Sequence, residues 1–150
     1  MKKRIDMVKC PFCSGDTKVV DKRDAEDSTR RRRECISCGK RFTTYERPNL
    51  SLVVVKKDGR REAYSREKLK AGLLRACEKR PISIETVDSA VDRIEKAIRD
   101  TDEVSSNEIG ERVMAELKAM DKVAYIRFAS VYREFDDLMA FEREVRLFRS

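Results

Sequence analysis

Cys10 and Cys13 enclose two residues, Cys35 and Cys38 enclose two more, and 21 residues separate the pairs, giving C-x2-C-x21-C-x2-C. No other feature narrows the fold as much. Two-residue spacing lets both sulfurs of a pair reach one ion at about 2.3 Å, and two such pairs close a four-thiolate tetrahedron. Gly39, directly behind the second pair, is free to take a positive φ and turn backbone N–H groups toward the sulfurs. Two disulfides are the alternative, which a reducing compartment disfavours. A dithiol redox site needs one CxxC beside a βαβ unit, and the surrounding sequence has no such unit. Four soft ligands leave no position for water, so the expected ion, one Zn2+, is structural. A head of 48 residues builds little core, and the metal is expected to supply much of its folding energy.

Residues 17–21 and 30–34 are β-prone and frame a polar stretch at 24–29, which reads as a hairpin carrying the two cysteine knuckles. Residues 42–45 (FTTY) supply a third strand, and the expected architecture is a zinc ribbon. Arg30, Arg31, Arg32 and Arg33 run consecutively along the second strand. Alternate side chains of a strand face opposite sides, so at most two of the four share a surface. Lys40, Arg41 and Arg47 add positive charge beyond the second knuckle, interleaved with Phe42 and Tyr45. A solvated surface paired with Asp24, Glu26 and Asp27 is the bland reading. On a zinc ribbon, the balance moves toward the phosphate backbone of DNA, with Arg30–33, Lys40, Arg41, Tyr45 and Arg47 as contacts.

Charge divides the chain at the same place as pattern. Residues 1–48 hold 14 Lys/Arg and 8 Asp/Glu, whereas residues 49–150 hold 21 and 20, so +6 of the total +7 lies on the head. Long helical periodicities begin only after Arg47-Pro48-Asn49. The expected division is a ribbon at 1–48, a body at 49–140 and a helical tail at 141–150. Histidine is absent, which excludes Ser-His-Asp, Cys-His and HExxH chemistry. No carboxylate pair is placed for acid–base work, and no enzyme activity is expected. No apolar run approaches the roughly 18–20 residues that span a bilayer, and the basic residues 1–9 lack the apolar stretch of a secretory signal. A cytoplasmic chain without membrane contact is the expectation.

The body opens with residues 50–57 (LSLVVVKK), turns at Asp58-Gly59 and returns as residues 60–64. Asp-Gly between two β-prone runs is a strong hairpin signal. Ser65 is placed to cap a first helix running to about Arg80, before Pro81. Ser83 caps a second with Val87, Val91, Ile94 and Ile98 at helical spacing. Ser105 with Glu108 fits a capping box ahead of Ile109, Val113 and Leu117. A fourth helix starts near Asp121 and carries Phe128, Val131, Phe135 and Leu138 along one stripe. Residues 141–150 extend it or form a separate tail. Two strands followed by about four helices make the body α+β.

Lys56, Lys57, Arg60, Arg61 and Lys68 gather where the Gly turn meets the first helix N-terminus. That arrangement can receive a triphosphate; a solvated basic hairpin has the same composition, and neither common phosphate-loop fingerprint is present. Cys77 lies in an apolar stripe with Leu69 and Leu73 and reads as a buried structural thiol, while Met114, Met120 and Met139 read as core or interface filling.

The segments CPFC, RRRREC, RFTTYER, VVKKDGRRE, ACEKRP and VAYIRFASVYREF together resemble the NrdR family, bacterial-type repressors of ribonucleotide reductase genes in which a zinc ribbon precedes an ATP-cone. The resemblance covers about residues 8–140. It implies that the ribbon binds double-stranded promoter DNA, that the cone binds ATP or dATP, with Mg2+ as a possible companion, and that nucleotide state sets homo-oligomeric assembly and DNA affinity. By motif, Lys56, Lys57 and Glu62 belong to the nucleotide cradle, Ser65 and Lys68 to the start of the first cone helix, and Ser106 to the opening of the third. Tyr125 and Tyr132 fall in the last motif, as base-pocket lining or as core. The chain departs from the family pattern in the nine residues before Cys10, in a shorter 24–29 turn, and in Lys56-Lys57 where Lys-Arg is common; lysine keeps the charge but not the planar fork.

Overall fold

The computed structural model describes residues 8–149, so residues 1–7 of the basic leading stretch lie outside it. The chain divides into two compact units, Met1–Asn49 and Leu50–Ser150.

The first unit is an antiparallel sheet of β1 (Thr17–Ala25), β2 (Ser28–Cys35) and β3 (Arg41–Glu46), in that order. The hairpin is longer than the sequence suggests. Asp24 pairs with Thr29 and Ala25 with Ser28, and the Thr29 hydroxyl donates to Asp24 Oδ1 at 2.8 Å. The polar stretch expected to be a connector is thus mostly ladder, with Glu26-Asp27 alone making the turn. β1 is exposed along nearly its whole length after Thr17, and an irregularity between Val19 and Asp21 breaks its register. Edge strands avoid further pairing by such bulges and charges.

The second unit holds β4 (Val53–Val55), β5 (Arg61–Ala63), α1 (Arg66–Ala76), α2 (Ile84–Ile98), β6 (Glu103–Ser105), α3 (Ser106–Met120), α4 (Lys122–Tyr132) and α5 (Leu138–Arg146). β4 and β5 form the expected hairpin, with Val54 opposite Glu62. Gly59 takes φ +85° at the turn, a conformation a side chain would oppose. β6 is unforeseen: it lies parallel to β4, pairing Val54 with Val104, and gives the sheet order β5-β4-β6. Leu52, Val54, Ile98 and Val104 close a small core beneath this sheet. The larger core joins Leu69, Leu73 and Cys77 to Val87, Val91, Ile94, Val113, Met114, Leu117, Ala124, Tyr125 and Ala129. Cys77 is buried, as expected, and burial raises its thiol pKa.

Among the described residues every helix begins on a side-chain cap. Ser65, Ser83, Ser105, Asp121 and Asp137 accept from the backbone N–H of Lys68, Thr86, Glu108, Ala124 and Ala140. Each such cap contributes about 1 kcal/mol. The expected capping box is half made, because the Glu108 carboxylate accepts from Arg112 instead of reaching back to Ser105. Helix ends differ more. α1 stops at Ala76 rather than near Arg80, where Lys79 adopts φ +59°. α4 stops at Tyr132, two residues before Glu134 turns to φ +48°. The stripe Phe128, Val131, Phe135, Leu138 therefore belongs to no single helix. Val131 and Leu138 are 78% and 79% exposed, while Phe135 meets Phe141 edge-on at 5.5 Å. Asp137 opens α5 as a fifth helix, which crosses residue 140 instead of beginning after it.

Candidate functional site

The four sulfurs of Cys10, Cys13, Cys35 and Cys38 all lie within 4.8 Å of one another. Cys10 Sγ is 3.7 Å from Cys38 Sγ, and Cys13 Sγ is 3.4 Å from Cys35 Sγ. A tetrahedron with about 2.3 Å from metal to sulfur has edges of about 3.8 Å, so the cluster is already close to the size a zinc ion requires. The two knuckles repeat one backbone plan. Ser14 N–H donates to Cys10 O and Gly39 N–H to Cys35 O; Cys10 N–H donates to Gly15 O and Cys35 N–H to Lys40 O. Ser14 and Gly39 occupy matching positions with φ +61° and +74°. This geometry frees Phe12 N–H to point at Cys10 Sγ (3.4 Å) and Cys38 N–H at Cys35 Sγ (3.3 Å).

Two of the four thiols, Cys35 and Cys13, are driven in opposite directions. The Cys38 backbone N–H, with smaller help from Cys13, Ser37 and Cys38 side-chain or backbone donors, holds the Cys35 thiol down at about 6. At Cys13 the Gly15 backbone acts in the ionising direction, but hydrogen bonds with Cys35 and Cys38, burial and Cys10 together push its thiol up to about 12. Crowded sulfurs cannot all ionise beside one another unless a cation accepts the charge. The donor set fits one zinc ion, held by these four residues. Bound there, the ion would fasten the two knuckles to each other, and with no fifth ligand position it would offer no reactive site.

The arginine run splits between the two faces of β2. Arg33 is 3% exposed and donates from Nε to Thr44 Oγ1 at 3.0 Å, so its place is inside the ribbon. Arg31 pairs with Glu46 at 2.7 Å. Arg32 is exposed and Arg30 half-buried. The expectation that all four reach phosphate therefore does not hold for Arg33, whose guanidinium is taken up by packing. Arg41 is bound to Glu34 at 2.8 Å, Lys40 lies over the Phe12 ring at 4.7 Å, and Arg47 over the exposed Tyr45 ring at 4.6 Å.

In the second unit, a cavity of about 500 Å³ opens between the β4–β5 hairpin, the N-terminal ends of α1 and α3, and the C-terminal end of α4. This is within the range of small-molecule sites. Lys56, Lys57, Glu62, Ser65, Lys68, Ser106 and Tyr132 line it. Tyr125 does not. It is 4% exposed, its hydroxyl donates to Glu144 Oε1 and its ring meets Phe148 at 4.9 Å, all of which assign it to the core. Burial, the Glu144 hydrogen bond and the Glu144 charge push the Tyr125 hydroxyl up to about 12.

The cavity has a polar rim and an apolar floor. Lys56, Lys57, Arg60 and Lys68 stand with Asp58, Glu62 and Glu134 around the rim. Two helix N-termini add the positive ends of their dipoles. Asp58 accepts from the Arg60 backbone N–H at 3.1 Å and from its guanidinium at 2.6 Å, which shapes the turn and keeps the Asp58 carboxyl below its usual range. Lys56 Nζ lies 3.2 Å and Lys68 Nζ 3.5 Å from the same atom, Glu62 Oε1. The floor is Val54, Leu69, Ile109, Val113 and Phe128. Phe128 and Tyr132 stack at 5.6 Å, and Lys57 Nζ sits 5.6 Å from the Tyr132 ring centre. Gly110 makes room for this wall, since a Cβ there would fall 2.1 Å from Tyr132 Cε2. An isolated glycine inside a helical pattern is the one sequence signal that could have found the floor. Tyr64 ties the cavity to α2: its hydroxyl donates to Glu95 Oε1 at 2.9 Å, while Arg66 bridges Glu95 (2.6 Å) and Asp92 (2.7 Å). Burial, followed by the Glu95 hydrogen bond, raises the Tyr64 pKa far above its ordinary value.

No helix among the described residues is long and apolar enough to cross a membrane. Residues 52–138 match the ATP cone domain, and residues 8–46 match the N-terminal domain of the transcriptional repressor NrdR-like family. A protein of Desulfitobacterium hafniense (strain DSM 10664 / DCB-2) is 58% identical over 142 residues, covering 91% of this chain and 92% of that one. One of Geotalea daltonii is 55% identical over 145 residues, covering 93% and 97%, and one of Symbiobacterium thermophilum is 53% identical over 143 residues, covering 92% and 95%. All three carry the name transcriptional repressor NrdR, a non-enzymatic role. With a four-cysteine ribbon at one end and an ATP-cone over most of the remainder, the chain belongs to the NrdR family of transcriptional repressors.

Proposed function

We propose that this chain is a nucleotide-sensing, zinc-dependent repressor that binds double-stranded promoter DNA of ribonucleotide reductase genes. The ribbon (1–48) carries the DNA contact through Arg30, Arg32, Lys40 and Tyr45 with Arg47, and the cone (49–140) takes ATP or dATP, with Mg2+ accompanying the triphosphate. Nucleotide identity selects the homo-oligomer, and the oligomer sets DNA affinity. The protein works in the cytoplasm, on the nucleoid when bound. The observation that carries this reading is the cavity: four cations and two helix N-termini face one rim, above an apolar, aromatic floor suited to a base. Such a pocket takes a polyanion joined to a flat apolar group better than it takes either alone.

The mechanism is a population shift. ATP and dATP must bind different assemblies with different affinity, because a ligand that binds both equally moves nothing. Paired ribbons on a symmetric assembly then meet repeated half-sites at a fixed helical spacing. The test is binding of the zinc-loaded protein to a ribonucleotide reductase promoter fragment with ATP, with dATP and with neither, alongside oligomer mass under each condition. We expect both quantities to change between the two nucleotides. Indifference of affinity and mass to dATP overturns the gating, and equal affinity for unrelated DNA overturns the operator.

A further inference from the structure

Glu62 stands on β5 opposite Val54, two residues from Lys56 across the hairpin, and its carboxylate faces the first turn of α1. Lys56 and Lys68 converge on a single oxygen, Glu62 Oε1, at 3.2 and 3.5 Å. Two ammonium groups meeting one anionic oxygen at these distances make the arrangement a phosphate oxygen would need from the same lysines. All three side chains are partly exposed, between 37% and 72%, so the pairs are exchangeable rather than locked. The Glu62 carboxyl is held below its ordinary range, first by the hydrogen bond from Lys56, then by the charges of Lys56 and Lys68.

Resting on the nucleotide reading of the cavity, we infer that Glu62 is an internal competitor for the phosphate group, a carboxylate that occupies the Lys56–Lys68 pair and must be displaced before a polyphosphate can engage both lysines. Its role is to set a threshold. Small anions gain only what they take from Glu62, so orthophosphate and sulfate are rejected. A ligand that also fills the apolar floor and meets Tyr132 recovers the loss through contacts Glu62 does not oppose. Glu62 is thus a specificity-determining residue of the cone, acting against the ligand's most abundant feature. This differs from a plain cradle role, in which its removal would weaken binding.

Calorimetric titration of the zinc-loaded full chain with inorganic tripolyphosphate and with ATP tests this, using wild type and Glu62→Gln. Removing two half-exposed pairs should tighten tripolyphosphate by about three- to tenfold. In a Lys68→Ala background, the same change should give a smaller gain, since one of the two contested cations is gone. Tripolyphosphate binding that is unchanged, weakened or undetectable in Glu62→Gln overturns the competition, as does an undiminished gain in the Lys68→Ala background. If ATP binding persists in those cases, the nucleotide reading survives the loss. If tripolyphosphate tightens while ATP binds neither protein, the competition stands and the nucleotide reading falls. Matching far-UV spectra and melting curves establish that Glu62→Gln keeps the fold.

Discussion

Ribbon and cone hold themselves together with different material. In the ribbon the described residues that are buried include Cys10, Cys35, Thr17 and Arg33, two sulfurs and two polar side chains where a core would be. In the cone Leu73, Leu117, Val91 and Ala124 are sealed completely, inside a continuous apolar cluster from four helices. A three-stranded sheet with an arginine in its interior and almost no buried apolar side chain has little hydrophobic free energy to draw on. Its cohesion is expected to come from a cation. The cone buries a continuous apolar cluster of its own, and its surface carries a cavity. The ribbon is therefore expected to depend on metal for its fold, and the cone is not.

The largest effect expected is on the ribbon. Chelation, or Cys35→Ser, should unfold residues 8–46, because structural zinc supplies about 10–16 kcal/mol in comparable small sites. Amide NMR dispersion should collapse for the ribbon and persist for the cone. Loss of both sets together would break the distinction.

Leu73→Ala should do the reverse. A fully buried leucine at the meeting point of the cone helices costs about 2–5 kcal/mol when truncated, read from urea unfolding of the cone, while the rate of zinc release stays the same. Faster zinc release would mean that the two units fold as one.

A smaller effect is expected at Asp121, which caps α4 and accepts from Arg80 at 3.0 Å. The Arg80 hydrogen bond, followed by the Ala124 backbone N–H, lowers its pKa. A depressed folded-state value means that its contribution is complete above about 3.9, the ordinary Asp value, and is lost as pH falls through the lower folded value. Asp121→Ala should cost about 1–2 kcal/mol near neutrality and flatten the acid limb of cone stability. An unchanged acid limb would assign the pH sensitivity to other carboxylates.

The smallest expected effect concerns surface charge. Arg30→Ala with Arg32→Ala should reduce the salt slope of DNA binding by about 1.8, at about 0.9 per phosphate contact, and leave the ribbon folded. Arg31→Ala with Arg33→Ala should instead loosen the ribbon, because these two side chains are engaged by Glu46 and Thr44. An identical slope in both double variants would mean that β2 has no preferred outer face.

What could be read in the sequence were the features that chemistry states locally. Cysteine spacing, Asp58-Gly59 and the caps Ser65, Ser83 and Ser105 each act over three or four residues, and the structure has each of them in place. Seven of the eight residues implicated in nucleotide binding line one cavity. The features that escaped depend on distant partners. β6 presents only Val104 to the core, too little for any periodicity, and it is a strand because β4 lies beside it. α4 ends at Tyr132; beyond it the positive φ of Glu134 and the cap at Asp137 interrupt an apolar stripe that would otherwise continue. Tyr125 and Tyr132 sit in one motif and on one helix, yet one meets Glu144 and the other Gly110 and Lys57. Nothing in their shared motif distinguishes them; the neighbours do.

The parallel pairing of β4 with β6 has a thermodynamic consequence. It brings the start of α3, half the unit away in sequence, alongside the hairpin, so the cavity wall is assembled from both ends of the cone. No fragment of the cone contains the site. Any ligand that fills it must favour the complete unit over every partly opened form, in proportion to its concentration relative to its dissociation constant. Occupancy is thereby written into the stiffness of the whole cone rather than of any one of its elements.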